Sequence, residues 1–229
     1  MPQVCFRHSS PFFRPLKDVD RPLQENKKTN IRLASQRLDG VVIGPGETFS
    51  FWRLVGLPSR FKGYKEGLVL SRGALGRGIG GGLCQLSNLL YWMTLHTPLR
   101  VVERWRHSYD VFPDVERTLP FGSGATVAYN YIDLQIENPT AQSFQLKLWQ
   151  DEDFLHGEWR SEFAPQFSYR VFEKNHRMEK CFQGYIRRNE LYRMVTDLDS
   201  GQTAEEFIAA NNALMMYSPL LEDRTHEER

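Results

Sequence analysis

The chain has 229 residues, 41% of them hydrophobic and 13% aromatic, with a net charge of +1. That composition belongs to a folded globular chain, as one large domain or a domain with an appended piece, and excludes a disordered one. The balance of 29 Lys and Arg against 28 Asp and Glu gives no electrostatic reason to expect nucleic acid or a charged membrane surface as partner.

Residues 1–22 are rich in proline and aromatics and form an N-terminal extension expected to wrap the surface. Arg7, His8 and Arg14 interrupt any apolar leader, and no run is long enough to span a bilayer, so the chain reads as soluble and cytoplasmic. Residues 23–38 read as an amphipathic helix with Ile31, Leu33, Ala34 and Leu38 near its inner face, ended by Asp39-Gly40. A short strand at 41–43, a turn at Gly44-Pro45-Gly46, an aromatic strand at 47–55 and a strand at 67–71 follow.

Five glycines then fall between Gly76 and Gly82, and a helical pattern starts directly after them. At about 100° per residue, Leu83, Leu86, Leu89, Leu90 and Met93 share one face, while Cys84, Ser87, Asn88, Tyr91 and Leu95 share the other. A helix apolar nearly all round is buried. At least one of Gly80, Gly81 and Gly82, which form the wall of a site, is expected to take φ > 0 and to lie beside a concave pocket. Cys84 lies in the first turn, where free N–H groups favour a thiolate.

Pro98 stops that helix, and 99–103 is a strand leading to the polar cluster Glu103, Arg104, Arg106, His107, Ser108, Tyr109 and Asp110. Strand alternation returns at 125–131 and 132–137 and is broken by Asn138-Pro139. Residues 143–195 read as a β meander, and 203–216 as a helix with Thr203 as N-cap. The residues thus divide into an extension (1–22), a core (23–139), a β-rich part with a terminal helix (140–221) and a charged tail (222–229). The fold class is α+β: a buried helix entered through glycines, on a mostly antiparallel sheet.

A nucleophilic thiol needs a base in reach and a group to orient that base. His107 is the best-placed histidine in chain order, and Ser108, Asp110 and Asp133 are the candidate orienters. Cys5, Cys84 and Cys181 are odd in number and form no CxxC pair, so neither a metal site nor a disulfide framework is suggested, and no cofactor is expected. The run Gly76-Arg-Gly78-Ile-Gly-Gly81 also satisfies GxGxxG, with Glu103 where a ribose-binding acid would lie. Against a dinucleotide site, residues 71–75 separate the apolar strand from the first glycine, and strands rather than strand–helix units follow.

Residues 23–138 resemble the VanW family. The matching residues are Pro45-Gly46-Glu47-Thr48-Phe49-Ser50-Phe51, Gly63-Tyr64-Lys65, Gly78-Ile-Gly-Gly-Gly82, Cys84-Gln85, Ser87, Leu90-Tyr91, Glu103-Arg104, His107-Ser108, Ala125-Thr126-Val127 and Asp133-Leu134. The resemblance implies an accessory role in glycopeptide resistance or peptidoglycan metabolism, with a wall precursor or stem peptide as the expected partner. Ser123-Gly124 stand where many relatives carry Gly-Arg-Asp; if that aspartate completes a catalytic set in them, this chain uses another acid, such as Asp133, or lacks the activity. The order Cys, His, Asp is similar to that of transglutaminase-like and papain-like thiol enzymes.

Two function classes follow. In the first, a thiol hydrolase or acyl transferase, Cys84 is the nucleophile, His107 the base, Asp133 the orienter and Gln85 an oxyanion donor, with Gly80, Gly81, Gly82, Ser87, Tyr91, Glu103, Arg104 and Ser108 lining the ligand site. In the second, a non-catalytic binding module, Glu103, Arg104, His107 and Tyr131 hold a ligand or brace the sheet.

Overall fold

The computed structural model describes residues 1–13, 21–71, 74–110 and 118–217; the expected charged tail lies outside them. In chain order the elements are β1 (Gln3–Pro11), α1 (Arg21–Leu38), β2 (Val42–Ile43), β3 (Thr48–Ser50), α2 (Phe51–Val55), β4 (Glu66–Ser71), β5 (Ala74–Ile79) and α3 (Cys84–Thr94). They continue with β6 (Arg100–Glu103), β7 (Tyr109–Asp110), β8 (Gln135–Glu137), β9 (Phe144–Gln150), β10 (Phe154–Ser161), β11 (Phe167–Cys181), β12 (Gly184–Asp197) and β13 (Thr203–Met215). The architecture is α+β and mostly antiparallel, as the patterning leads one to expect.

Helix α3 is the centre of the core. Leu86, Leu90 and Met93 are fully buried, and Leu89 and Tyr91 nearly so. They pack with Ile31, Ala34 and Leu38 of α1, Phe51 and Val55 of α2, and Phe144, Leu146, Leu155 and Trp159 of β9 and β10 in one cluster. Residues beyond Pro139 therefore complete the same core as residues before it. Gly157 makes the closest approach possible, since a Cβ there would meet the Met93 side chain at 2.7 Å. The Trp159 indole donates to the Thr94 hydroxyl at 3.2 Å, so the largest buried ring also finds its polar partner.

Among the described residues the strands form four sheets. One has the order β1-β10-β9-β2, with β1 antiparallel to β10 from Gln3↔Ser161 to Pro11↔Phe154. The N-terminal stretch expected to wrap the surface is instead a strand, because Gln3–Pro11 finds a free edge on β10. A second sheet, β3-β8-β6, carries α2 at its end. The hairpin β4-β5 contains Gly76 and Gly78. Those glycines lie within a strand and not in a tight turn between a strand and a helix, which removes the dinucleotide reading.

The fourth sheet, β11-β12-β13-β7, joins the C-terminal strands to the core through a parallel pairing, Leu214↔Tyr109 and Met215↔Asp110. Here the expected terminal helix is corrected: Thr203–Met215 is a strand, paired with β12 from Tyr185↔Met215 to Thr196↔Thr203. Ala and Glu favour a helix locally, but pairing along a whole strand outweighs that propensity. The alternating burial of Asn211, Ala213 and Met215 is the strand signature. Two more expectations change locally. Residues 47–55 divide into β3 and α2 where Ser50 caps the helix by accepting from the Arg53 N–H. Residues 125–131 form isolated bridges, Trp105↔Thr126 and Ala128↔Ile132, around Asn130 at φ 67°.

The C-terminal sheet is fastened by buried polar groups. Asn189 donates to the Phe121 carbonyl at 2.7 Å and accepts from Asn211 at 3.0 Å. Arg187 lies 3.5 Å from Asp110, both almost wholly buried, and the Tyr217 hydroxyl donates to the same carboxylate at 2.9 Å. Arg193 of β12 reaches the carbonyls of Leu95 and Thr97 at 3.3 and 2.9 Å, supplying donors to the C-terminal end of α3.

The tightest backbone approach joins the turn before α3 to β4. A Cβ on Gly81 would sit 2.2 Å from the Gly67 carbonyl carbon, whereas one on Gly76 would meet nothing closer than 3.7 Å. Gly81→Ala should therefore destabilise the protein by about 2 kcal/mol or more, lowering Tm by roughly 4–8 °C in a thermal melt. Gly76→Ala should change stability by no more than about 0.5 kcal/mol.

Candidate functional site

The turn leading into α3 is built by glycine and by one asparagine. Gly80 and Gly82 take φ of 77° and 94°, as expected of at least one of the three, and Gly81 lies against Gly67. Asn30, fully buried on α1, donates to the carbonyls of Gly81 (2.9 Å) and Lys65 (3.0 Å) and accepts from the Lys65 N–H (2.8 Å). This staple holds α1, the hairpin and the start of α3 in fixed register.

From that turn the polar face of α3 meets residues 124–127. The Cys84 thiol donates to the Val127 carbonyl at 3.7 Å, and the Ser87 hydroxyl to the Ala125 carbonyl at 2.6 Å. Asn88 accepts from the Ala125 N–H at 2.8 Å. Burial pushes the Cys84 thiol above its ordinary value, and its hydrogen bond to Val127 only partly offsets that. Desolvation thus opposes the thiolate that a helix start would favour.

The remaining residues of the expected thiol set have other partners. Gln85 donates its side-chain amide to the Ser10 hydroxyl (3.0 Å) and the Pro11 carbonyl (2.8 Å), and its backbone N–H to the Gly82 carbonyl (3.1 Å). The Asp133 carboxylate accepts from the Ser50 hydroxyl at 2.5 Å, the Trp52 N–H at 3.0 Å and the Leu134 N–H at 2.9 Å. It anchors the start of α2. His107 is driven toward the neutral form, first by burial and then by the neighbouring Arg106 charge. Among the described residues no hydrogen bond joins His107 to Cys84 or to Asp133. The Ser108 carbonyl accepts from the Leu214 N–H at 3.0 Å, tying the segment to β13.

Arg104 turns inward, away from Glu103. Its guanidinium lies 4.8 Å from the centre of the buried Tyr91 ring and donates to the carbonyls of Gly124 (2.9 Å) and Gly122 and to Asn211 (3.2 Å). The planar fork thus binds the loop that satisfies α3. A Cβ at Gly124 would lie 2.6 Å from Asn88 Oδ1, so any larger residue there would displace the side chain that accepts from the Ala125 N–H.

On the other side of β6 an open cleft of about 390 Å³ is lined by Trp52, Arg53, Glu103, Tyr129, Tyr131 and Asp133 among others. The left-handed Asn130 closes a turn in which the Tyr131 N–H donates to the Ala128 carbonyl at 3.0 Å, and the Tyr131 ring stands 88% exposed. Trp52 is fixed by its indole bond to the Ile132 carbonyl (2.9 Å) and by an edge-on contact with Tyr129 (5.5 Å). Glu103 accepts from the Trp105 indole (3.1 Å), the Asp133 N–H (3.2 Å) and Gln135 (2.7 Å). The cleft therefore offers rigid aromatic surfaces around an oriented carboxylate.

Of the residues expected at a site, the structure brings Glu103, Asp133 and Tyr131 to this cleft; the buried Ser87 and Tyr91 and the half-buried Cys84 and Arg104 gather around residues 122–127. Trp52, Arg53, Tyr129 and Asn130 were not singled out from the sequence. Their signals were the aromatic run at 49–52 and the Tyr-Asn-Tyr turn. Among the described residues no three His, Cys, Asp or Glu side chains converge to hold a metal, and no helix is long and apolar enough to cross a membrane.

The span carrying these features is matched by known proteins. A family model described as VanW like protein matches residues 26–160, which contain both α3 and the cleft. Over 222 residues, 97% of this chain and 81% of the relative, the chain is 32% identical to the vancomycin B-type resistance protein VanW of Enterococcus faecalis. It is 35% identical over 123 residues to the uncharacterized protein YoaR of Bacillus subtilis, covering 54% of this chain and 39% of that one. No solved structure matches. With the family model covering more than half of its length and a relative similar over nearly all of it, the chain belongs to the VanW family.

Proposed function

We propose that the protein is an accessory of glycopeptide resistance or peptidoglycan metabolism that acts by binding a cell-wall precursor in the Tyr131 cleft. The family, and the name of the Enterococcus relative, support the first half of this reading. The second half rests on one observation: the exposed Tyr131 ring stands beside Tyr129, Arg53 and a carboxylate, Glu103, held by three hydrogen bonds. Aromatic faces with a few fixed polar groups suit a ligand with both apolar and hydroxylated surfaces, such as the amino sugars of a wall precursor.

A second reading, thiol-dependent amide hydrolysis or acyl transfer, is favoured by the place of Cys84 in the first turn of α3 and by the transglutaminase-like order of Cys84, His107 and Asp133. It requires the thiolate, which burial disfavours. It also requires Asp133 to leave the three donors it holds at α2.

Two measurements separate the readings. Titration with muramyl dipeptide, followed by tryptophan fluorescence, should show saturable binding. Tyr131→Ala and Glu103→Gln should weaken it by about tenfold or more, corresponding to roughly 1.4 kcal/mol, with Cys84→Ala unchanged. Equal binding by all variants, or none by the native protein, would defeat the cleft reading. Alkylation of Cys84 by iodoacetamide, located by mass spectrometry, should run slower than that of a model thiol at neutral pH. A raised pKa keeps the proton on the sulfur, so the rate should still be rising with pH at the ordinary value of 9.0, where that of a model thiol begins to level off. Rapid alkylation below about pH 7 would instead identify an activated nucleophile.

A further inference from the structure

A second concavity lies on another part of the molecule, between the C-terminal half of α1 and β9. It encloses about 330 Å³, is lined by Arg32, Ser35, Gln36, Asp39, Trp149 and Gln150 with Leu148 in its wall, and shares no residue with the Tyr131 cleft. Arg32, Ser35, Gln36 and Asp39 follow helical i, i+3, i+4, i+7 spacing and so present one face of α1 to it.

The opposite wall is an incomplete strand edge. Leu146 donates its N–H to the Val41 carbonyl (2.9 Å) and accepts from the Gly40 N–H (2.8 Å), while the Leu148 N–H goes to the Asp39 carboxylate (2.9 Å). Alternate residues of an antiparallel strand address opposite neighbours. Leu146, Leu148 and Gln150 therefore face α1, and Lys147 and Trp149 face β10. Strand β2 covers only Phe144 and Gln145. Among the described residues, no hydrogen bond reaches the Leu148 carbonyl or the Gln150 N–H on this edge.

Two side chains in the same groove also lack partners. Ser35 is 6% exposed and its hydroxyl has no hydrogen bond, nor does the buried amide nitrogen of Gln150. Buried polar atoms are nearly always paired. Two orphans beside two open backbone positions leave donors and acceptors that the polar groups of a ligand would satisfy. Charge narrows its chemistry. The Asp39 carboxylate is already paired with Lys147 at 2.9 Å, whereas Arg32 is exposed and makes no ion pair among the described residues.

We propose that this groove binds a short extended peptide with a free carboxylate. The peptide backbone continues the β9 edge at Leu148 and Gln150, the Ser35 hydroxyl and Gln150 amide bond its polar groups, and Arg32 takes the carboxylate. The volume lies at the low end for ligand pockets, which limits the occupant to a few residues. This site is independent of the Tyr131 cleft and stands whether or not that cleft binds a wall precursor.

The test uses N-acetyl-trialanine, its C-terminal amide and acetate with the full chain, followed by NMR of the backbone and the Trp149 indole. The free peptide should give saturable shifts at residues 148–150. The C-terminal amide, which loses only the charge, should bind about tenfold more weakly, and Arg32→Gln should weaken the free peptide to the same degree. Ser35→Ala should weaken binding without lowering Tm, whereas a purely structural serine would move Tm and leave binding alone. Glu103→Gln, in the other cleft, should change nothing. No saturable shift up to about 10 mM, shifts confined to the Tyr131 cleft, or acetate binding as well as the peptide would each overturn the proposal.

Discussion

A central helix that carries polar groups beside its buried face obliges the structure to pair them, and much of this fold is the answer to that requirement. The face of α3 bearing Cys84, Ser87 and Asn88 has its partners in the backbone of Ala125 and Val127. That backbone is in turn held by Arg104 through the carbonyls of Gly122 and Gly124. Arg104 reaches Asn211, Asn211 reaches Asn189, and Asn189 reaches the Phe121 carbonyl. The chain of bonds begins at the central helix and ends in the C-terminal sheet. Each buried polar group left unpaired would cost about 1–3 kcal/mol, so the C-terminal strands are part of what makes α3 tolerable as a core element.

The same requirement decides where chemistry can occur. Groups drawn inward to satisfy α3, such as Cys84, Ser87 and Arg104, are stabilised in their resting forms: the thiol protonated, the hydroxyl donating to a carbonyl, the guanidinium stacked on Tyr91. The other side of β6 carries no such obligation. There Glu103 and the turn at Asn130 are free to orient a carboxylate and an exposed ring toward solvent. Adjacent residues, Glu103 and Arg104, thus serve opposite ends, one facing a cleft and one locking the interior.

Much of this was legible in the residues, and the failures have physical causes. The all-round apolar pattern of residues 83–95 announced a buried helix, and glycine density announced left-handed backbone before it; both are local properties. The strand at 203–215 was read as a helix because its Ala and Glu content speaks only of local preference, while its pairing with β12 is a tertiary matter. Asp133 is a candidate orienter by chain order alone, and what it holds in the fold is set at long range. Its partners, Ser50 and Trp52, lie some eighty residues earlier in the chain, and no spacing rule connects them. The Tyr131 cleft was half visible, since Glu103 and Tyr131 were grouped as a binding set. Trp52 was hidden by reading 47–55 as one strand, where Ser50 in fact starts a helix.

The pairing of β1 with β10 has a consequence for how the chain comes into being. Gln3 lies opposite Ser161, so β1 leaves the ribosome long before its partner strand has been made. At roughly 5–20 residues per second, that interval is on the order of ten seconds. Through it the nascent strand is an open edge, a ready template for wrong pairing with another chain. Its composition suits the wait: Arg7, His8, Ser9 and Ser10 fill its second half, leaving Val4, Cys5 and Phe6 as its apolar run. A strand that must linger unpaired is guarded by charge and hydroxyls, and translation speed sets how long that guard must hold.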